Sequence, residues 1–221
     1  MTKHAPGLQL DDWSSIVAGM SKIREFDDTR EHLLATGEAL LRGKGFSAVG
    51  LAEILASAGV PKGSFYHYFR SKEGFGADLL TRYFERYDQD LQLRLLNGPG
   101  TARERLLAYF RAWASRRADA EDGGCRQCCL AVKLSAEVSD LSEPMREVLA
   151  SGMQRTELRI SQAILAGQQD GSLSPALQPL PLARALYQLW VGSELMVKVR
   201  QTAEPVQLAL VQTEDWLRTP D

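Results

Sequence analysis

The sequence predicts an all-α protein, with an N-terminal three-helix helix-turn-helix domain and a larger C-terminal helical domain. Apolar residues recur at steps of three and four along most of the 221 residues, which is the period of amphipathic helices. Glycine and proline separate these segments, and no segment alternates apolar and polar residues as a strand does. We divide the chain into an extension (1–26), a helix-turn-helix domain (27–74) and a C-terminal domain (75–221).

The composition is that of an ordinary globular protein, with 44% hydrophobic and 24% charged residues. The formal net charge is only −2, so any binding of nucleic acid must depend on a local surface rather than on overall basicity. No window reaches the run of about 18 apolar residues that crosses a membrane, and the N-terminus lacks the pattern of a secretory signal. We therefore expect a cytoplasmic protein without a membrane partner.

Helix signals follow one another closely in the N-terminal third of the chain. The apolar residues of Trp13–Ile23 have helical spacing and predict a short amphipathic helix that docks on the main body. The pair Asp27-Asp28 can cap the next helix. A second helix covers about 50–58, Gly59 ends it, and Pro61 suits the first turn of a third helix. Two short helices joined by a turn that contains glycine have the arrangement of a helix-turn-helix motif.

The third helix carries the side chains suited to DNA. Phe65 and Phe69 are four residues apart, so they share one helix face and can anchor the helix to the core. Gly63 lets the backbone approach a ligand closely, and lysines and hydroxyls bind phosphate oxygens. An aromatic-rich packing helix is the alternative, but the preceding turn and short helix favour double-stranded DNA. The side chains that then face outward are Lys62, Ser64, Tyr66, His67 and Tyr68, with Lys72 at the start of the following helix.

Six further helices are predicted in the C-terminal domain. Ser71 caps a long helix that the run Asn97-Gly98-Pro99-Gly100 ends. Pro175, Pro179 and Pro181 mark a loop before the last two helices. The other helices are expected near 106–113, over 129–139, from Ser142 to about Gln169, over 182–200 and over 204–218.

The last two helices are expected to form a homodimer. Two apolar faces from each of two chains would close a four-helix bundle, and an ordinary core within one chain is the competing explanation. One face consists of Leu182, Ala185, Leu189 and Met196, and the other of Val206, Leu210, Thr213 and Leu217.

The three cysteines, Cys125, Cys128 and Cys129, lie within five residues and suit reduced thiols better than a disulfide framework. We expect no metal, because a zinc site would need two more ligands and the three histidines are distant in sequence. Cys129 opens a predicted helix, whose positive end favours a reactive thiolate; a small buried apolar residue is the alternative. No histidine lies in the same half of the chain to activate a thiol, so we expect no enzyme and no cofactor.

A helical domain of this size can also hold a pocket for a small-molecule effector between its helices. The aromatic and methionine side chains at helical spacing are candidates for its lining, although each could equally belong to an ordinary core. They are Tyr109, Trp113, Met145, Tyr187 and Trp190.

Residues 27–76 resemble the TetR family of bacterial repressors. The resemblance rests on the motifs Gly45-Phe46, Ala52-Glu53-Ile54, Ala58-Gly59-Val60, Lys62-Gly63, Phe65-Tyr66-His67-Tyr68-Phe69 and Ser71-Lys72-Glu73. It implies a homodimer in which each subunit reads half of a near-palindromic operator, with DNA contacts from Lys62, Gly63, Tyr66, His67, Tyr68 and Lys72. The sequence departs from the family at Val49-Gly50-Leu51, where a threonine or serine usually opens the second helix. Gly50 can still cap this helix, without the hydroxyl contact to phosphate.

Two further runs, 28–38 and 129–143, resemble one branch of that family. This branch includes the repressor of N-ethylmaleimide reductase and similar sensors of electrophiles, and a neighbouring branch responds to acrylate. The resemblance implies that Cys129 senses the effector and that Lys198 lies near it. The function expected is therefore a repressor released from DNA by a small electrophile or unsaturated acid. A ligand-independent regulator and a disulfide-switched repressor that uses Cys125 and Cys128 remain as alternatives.

Overall fold

The computed structural model describes residues 28–115 and 129–219. Over these two ranges the chain consists of helices and connecting turns, without a strand, which confirms the all-α prediction. The predicted helix at Trp13–Ile23 and the residues Cys125 and Cys128 lie outside the described ranges. The helices are α1 (28–44), α2 (Leu51–Ala58), α3 (Lys62–Tyr68), α4 (Lys72–Leu91), α5 (Ala102–Ser115), α6 (Leu130–Val138), α7 (Glu143–Gln169), α8 (Pro179–Arg200) and α9 (Glu204–Trp216).

Helices α1 to α3 form the predicted helix-turn-helix unit. Gly59 ends α2 in the left-handed conformation, with φ of 64°, which glycine adopts at little cost. Pro61 precedes the first helical residue of α3 instead of occupying its first turn. Ser71 caps α4 as predicted, because its side chain accepts a hydrogen bond from the backbone amide of Gly74 at 3.0 Å.

The remaining helices pack around α7, which contacts α4, α5, α6 and α8, while α9 packs on α5 and α8. Helices α4 and α7 approach closely at Gly152, where an added Cβ would lie 2.3 Å from the ring of Phe84. The beginning of α7 also lies close to α4: a Cβ added to Gly76 would lie 2.7 Å from the sulfur of Met145. Glycine at these positions lets the two long helices lie in direct backbone-to-side-chain contact.

The apolar interior divides into two clusters of buried residues. The first joins α1 to α4 with α6 and the beginning of α7, so residues of both predicted domains share it. The second lies between α5, α7, α8 and α9, together with the end of α4. Cys129 and Met153 pack against both clusters and therefore lie at the seam between them.

Two local features differ from the prediction. Pro179 and Pro181 lie in the first turn of α8 instead of in a loop, because a proline in the first turn forfeits no helical hydrogen bond. The end of the long fourth helix, Gln92–Leu96, is a π-helical turn that Asn97 terminates. No residue pattern had indicated this wider turn.

The prediction of which face of α9 contacts a second chain is wrong. Val206, Thr213 and Leu217 are buried within their own chain, so they belong to the intrachain core that was the competing explanation. Thr213 accepts a hydrogen bond from the indole of Trp190 at 2.9 Å, which ties α9 to α8. The opposite face of α9 carries the exposed apolar residues Leu208 and Val211.

Within the described residues, none of the helices combines the length and the apolar character that a membrane crossing requires.

Candidate DNA-reading surface and thiol site

Helix α3 is anchored by its two phenylalanines, as the sequence predicted. The side chain of Phe65 is 0% exposed and that of Phe69 is 2% exposed. Both rings contact Phe75 of α4, with ring centroids 5.4 Å and 4.9 Å apart. These contacts fix the angle between α3 and α4 and leave the other face of α3 to solvent.

The structure exposes four of the predicted DNA-binding residues on that face. They are Lys62, Gly63, Tyr66 and His67. The Tyr66 side chain is 49% exposed although it is large and aromatic. The space around Gly63 is open, because a Cβ built there meets no other atom within 4 Å. None of the described residues therefore requires glycine at this position for steric reasons.

The other three predicted DNA-binding residues are half-buried. Ser64 and Tyr68 lie at the edge of the exposed face, and Tyr68 packs against the first apolar cluster. The ammonium group of Lys72 donates to the carbonyl of Phe46 at 2.7 Å and lies 4.3 Å from the centroid of its ring. Lys72 thus links the start of α4 to the α1–α2 junction, and its contact with phosphate stays a prediction.

Ion pairs between α1 and α4 hold the helix-turn-helix unit on the body of the protein. Arg82 of α4 pairs with both Glu31 and Glu38 of α1, and Arg30 of α1 pairs with Asp78 of α4 at 2.7 Å. The hydrogen bond from Arg82 lowers the pKa of Glu31 more than burial raises it. Glu31 therefore stays ionised at neutral pH and keeps its pairing with Arg82.

Cys129 lies at the position that precedes the first residue of α6, as the sequence predicted, and its side chain is half-buried. Its sulfur is 3.3 Å from the hydroxyl of Tyr83 on α4, within hydrogen-bonding distance. Burial raises the pKa of Tyr83, and the nearby sulfur raises it further, so this phenol stays protonated and can donate to the sulfur. The thiol is therefore held between α6 and α4.

A group of tyrosines continues from Tyr83 into the second cluster. The ring of Tyr83 stacks on that of Tyr87, with centroids 5.9 Å apart and planes 9° apart. The hydroxyls of Tyr87 and Tyr109 are 2.6 Å apart. Burial raises the pKa of Tyr109 and that of Tyr187, so both phenols remain neutral hydrogen-bonding groups.

Four of the five predicted pocket residues lie together in the second cluster. Trp113 lies in ring contact with Tyr109, Tyr187 and Trp190, at centroid distances of 5.5 to 6.3 Å. Met145 does not join them, because it packs in the first cluster against Gly76. A surface groove of about 450 Å³ lies beside the π-helical turn, and Tyr109 forms part of its lining.

Lys198, the predicted partner of Cys129, is exposed on α8. Burial lowers the pKa of Lys133 on α6, and the positive charge of Lys198 lowers it further. A close approach of Lys198 to the thiol stays a prediction. Among the described residues, no group of three or more histidine, cysteine, aspartate or glutamate side chains could hold a metal ion.

Sequence reasoning missed Tyr83, Lys133 and Glu137. Lys133 donates to the carbonyls of Arg42 and Gly43, at 2.5 Å and 2.7 Å. Glu137 accepts from the backbone amides of Phe46 and Ser47, at 2.9 Å and 2.5 Å. The spacing of Cys129, Lys133 and Glu137 by four residues places all three on one face of α6, which was the available signal.

Comparisons with known proteins agree with this architecture. Residues 33–78 match the family of bacterial regulatory proteins named after TetR, and residues 102–212 match the tetracyclin repressor-like C-terminal domain. The chain is 45% identical over 193 residues to the HTH-type transcriptional repressor NemR of Escherichia coli K12, covering 87% of this chain and 96% of NemR. It is 34% identical over 180 residues to the transcriptional regulator AcuR of Cereibacter sphaeroides, covering 80% of this chain and 79% of AcuR.

The fold matches a solved structure of one of these relatives. The crystal structure of the reduced form of E. coli NemR superposes with a TM-score of 0.81 at 45% identity, covering 87% of this chain and 98% of that one. These relatives are repressors and regulators rather than enzymes, in agreement with the sequence prediction. The chain therefore belongs to the TetR family and is a DNA-binding transcriptional repressor that resembles NemR.

Proposed function

We propose that this repressor binds a near-palindromic operator as a homodimer and leaves it when a small electrophile or an unsaturated acid such as acrylate reaches Cys129. The observation that carries this proposal is the position of the Cys129 sulfur. It lies at the seam between the cluster that supports the recognition helix and the cluster that holds the aromatic residues. A group added there must displace packed side chains of both clusters, because protein interiors contain little free space.

The exposed face of α3 is the proposed reading surface. Lys62 neutralises a phosphate, and the exposed ring and hydroxyl of Tyr66 can contact the sugar-phosphate backbone or a base edge. His67 is exposed beside them, and the open space at Gly63 lets the helix backbone approach a phosphate. Ser64, Tyr68 and Lys72 would add contacts at the rim of this surface.

Exposed apolar residues on the C-terminal helices support a homodimer. A four-helix bundle of α8 and α9 from two chains would cover the exposed apolar side chains of these two helices. Four such residues on α8 and α9 are each at least 46% exposed: Leu195, Val199, Leu208 and Val211. The symmetry of the dimer would then place two α3 helices on successive major grooves, about 34–36 Å apart.

The proposed chemistry at Cys129 is addition of its sulfur to an activated carbon–carbon double bond. A carbon–sulfur bond forms at one carbon, the thiol proton goes to the other, and no oxidant is required. The hydroxyl of Tyr83, 3.3 Å away, can donate a hydrogen bond to the sulfur as the carbon–sulfur bond forms. The group of Tyr109, Trp113, Tyr187 and Trp190 would line the space that the apolar part of the effector enters.

The test is a titration of the repressor on a duplex selected from a random pool by binding to the protein. Alkylation with N-ethylmaleimide is expected to weaken DNA binding by roughly 5–150-fold, the usual range of allosteric coupling. Cys129→Ser should bind DNA as the unmodified protein does and should not respond. Acrylate is the second probe. Full alkylation of Cys129 without a change in DNA affinity would refute the effector proposal but not the DNA-binding one.

A disulfide-switched repressor is the second candidate. It is favoured by the three cysteines within five residues and by the description of the related NemR structure as a reduced form. Oxidation with diamide would then release DNA from the wild type but not from a variant with Cys125→Ser and Cys128→Ser. In the electrophile proposal this double variant keeps its response to N-ethylmaleimide.

A further inference from the structure

Helix α6 is attached to the DNA-reading unit by two oppositely charged side chains on one face. Lys133 and Glu137 are four residues apart and both reach the junction between α1 and α2. Lys133 donates to the carbonyls of Arg42 and Gly43, in the last turn of α1. Carbonyls at the C-terminal end of a helix can accept hydrogen bonds from an ammonium group, and such charge-assisted bonds are strong.

Glu137 binds the same junction as a hydrogen-bond acceptor, whereas Lys133 binds it as a donor. Its carboxylate accepts from the backbone amides of Phe46 and Ser47. Burial opposes ionisation of Glu137, but the hydrogen bonds from these amides and from the Ser47 side chain, together with the charge of Lys72, outweigh burial and lower its pKa, so the carboxylate is charged at neutral pH. Gly45 makes room for it: a Cβ there would lie 2.8 Å from the carboxylate oxygen, and its φ of +91° also favours glycine.

The junction leads directly to the elements that position the recognition helix. The amides of Phe46 and Ser47 lie a few residues before α2, which begins at Leu51. The carbonyl of Phe46 accepts from Lys72 at the start of α4, so α2 and α4 are both tied to this segment. Helix α3 lies between α2 and α4 in the chain, so a shift of both would also displace α3.

The other end of α6 is the thiol site. The amide of Lys133 donates to the carbonyl of Cys129 at 3.0 Å, in the first turn of the helix. Eight residues at about 1.5 Å each place Glu137 about 12 Å along the helix from Cys129. We infer that Lys133 and Glu137 form a clamp through which α6 holds the α1–α2 junction, and that a change at Cys129 reaches the recognition helix through this clamp. The second half of this inference rests on the proposed role of Cys129.

The clamp can be tested without an effector, because coupling between two sites is reciprocal. Binding of the selected duplex is expected to slow hydrogen exchange in α6 and in the segment 45–49 of the wild type. In Glu137→Gln and Lys133→Met this effect on α6 should be lost, while Asp140→Asn, an exposed acid-to-amide exchange just beyond α6, should keep it. Lys133→Arg retains the donors and should restore the effect, which separates loss of the clamp from misfolding.

A second experiment uses N-ethylmaleimide on proteins that also carry Cys125→Ser and Cys128→Ser. Mass spectrometry then measures the alkylation of Cys129. Glu137→Gln and Lys133→Met should be alkylated at Cys129 to the same extent as their parent. Alkylation should then change the DNA affinity of these variants less than twofold. The clamp is overturned if DNA leaves exchange in α6 unchanged in the wild type, or if Glu137→Gln keeps the full response. Alkylation that leaves the DNA affinity of the parent unchanged refutes the effector proposal instead, and the exchange measurement still decides on the clamp.

Discussion

The contact between α4 and α7 gives a sharp prediction for Gly152→Ala. The new Cβ would lie 2.3 Å from both Cγ and Cδ2 of the Phe84 ring, whereas carbon atoms in contact are about 3.5–4.0 Å apart. Rotation of the ring cannot relieve the overlap, because Cγ is the atom about which the ring turns. Phe84 is 2% exposed and has no space into which it can withdraw, so the two helices must separate by about 1 Å.

The expected loss of stability follows from two opposing terms. Overpacking of this kind costs about 1–3 kcal/mol of folding free energy. This site belongs at the upper end of that range, because the added Cβ is attached directly to the backbone of α7 and cannot move away by rotation. Alanine recovers about 1 kcal/mol relative to glycine inside a helix. The net loss is therefore about 2 kcal/mol, which lowers Tm by about 4–8 °C in a protein of this size.

The matched control is Gly43→Ala, another helical glycine whose added Cβ meets no atom within 4 Å. It should raise stability by about 0.5–1 kcal/mol, opposite in sign to Gly152→Ala. Both variants are compared with the wild type by urea denaturation and calorimetry at one fixed protein concentration, since the proposed dimerisation would make Tm depend on concentration. A Gly152→Ala protein as stable as the wild type would show that α4 and α7 are not packed as closely as described.

Three further predictions concern the DNA surface and the dimer. Lys62→Ala should weaken binding to all duplexes alike and reduce the salt dependence of binding by about one unit per lost phosphate contact, measured by anisotropy from low to high salt. Gly63→Ala should leave Tm unchanged or slightly raised, because its Cβ meets only open space, and yet weaken DNA binding; tight binding by this variant would contradict a close backbone approach. Val211→Glu should convert dimers to monomers in sedimentation experiments, whereas the exposed Ala35→Glu on α1 should not.

Local sequence signals predicted the recognition helix and its supports correctly. The four-residue spacing of Phe65 and Phe69 gave the buried face of α3, and Ser71 gave the start of α4. These signals are reliable because the spacing of side chains and the capping of a helix depend on residues within one or two turns. The exposed positions of Lys62 and Tyr66 followed from the same spacing.

Features that depend on distant parts of the chain could not be predicted in this way. Helix α9 has two apolar faces, one with Val206 and one with Val211, and periodicity alone does not say which one meets the rest of the same chain. The contact of Tyr83 with Cys129 joins residues 46 positions apart. The hydrogen bonds that the amides of Phe46 and Ser47 donate to Glu137 span about twice that separation, so only the folded chain reveals them.

The shared first cluster also limits how this protein can be recombined with its relatives. Leu130, Leu134 and Leu149 come from the C-terminal domain, yet they complete the core beneath the recognition helix. A chimaera that joins residues 28–74 to the body of another repressor would expose apolar surface wherever the new body lacks matching side chains. Exchange of operator specificity between such proteins should therefore succeed by transplanting the outward-facing residues of α3, and fail when the whole N-terminal unit is cut out at its apparent boundary.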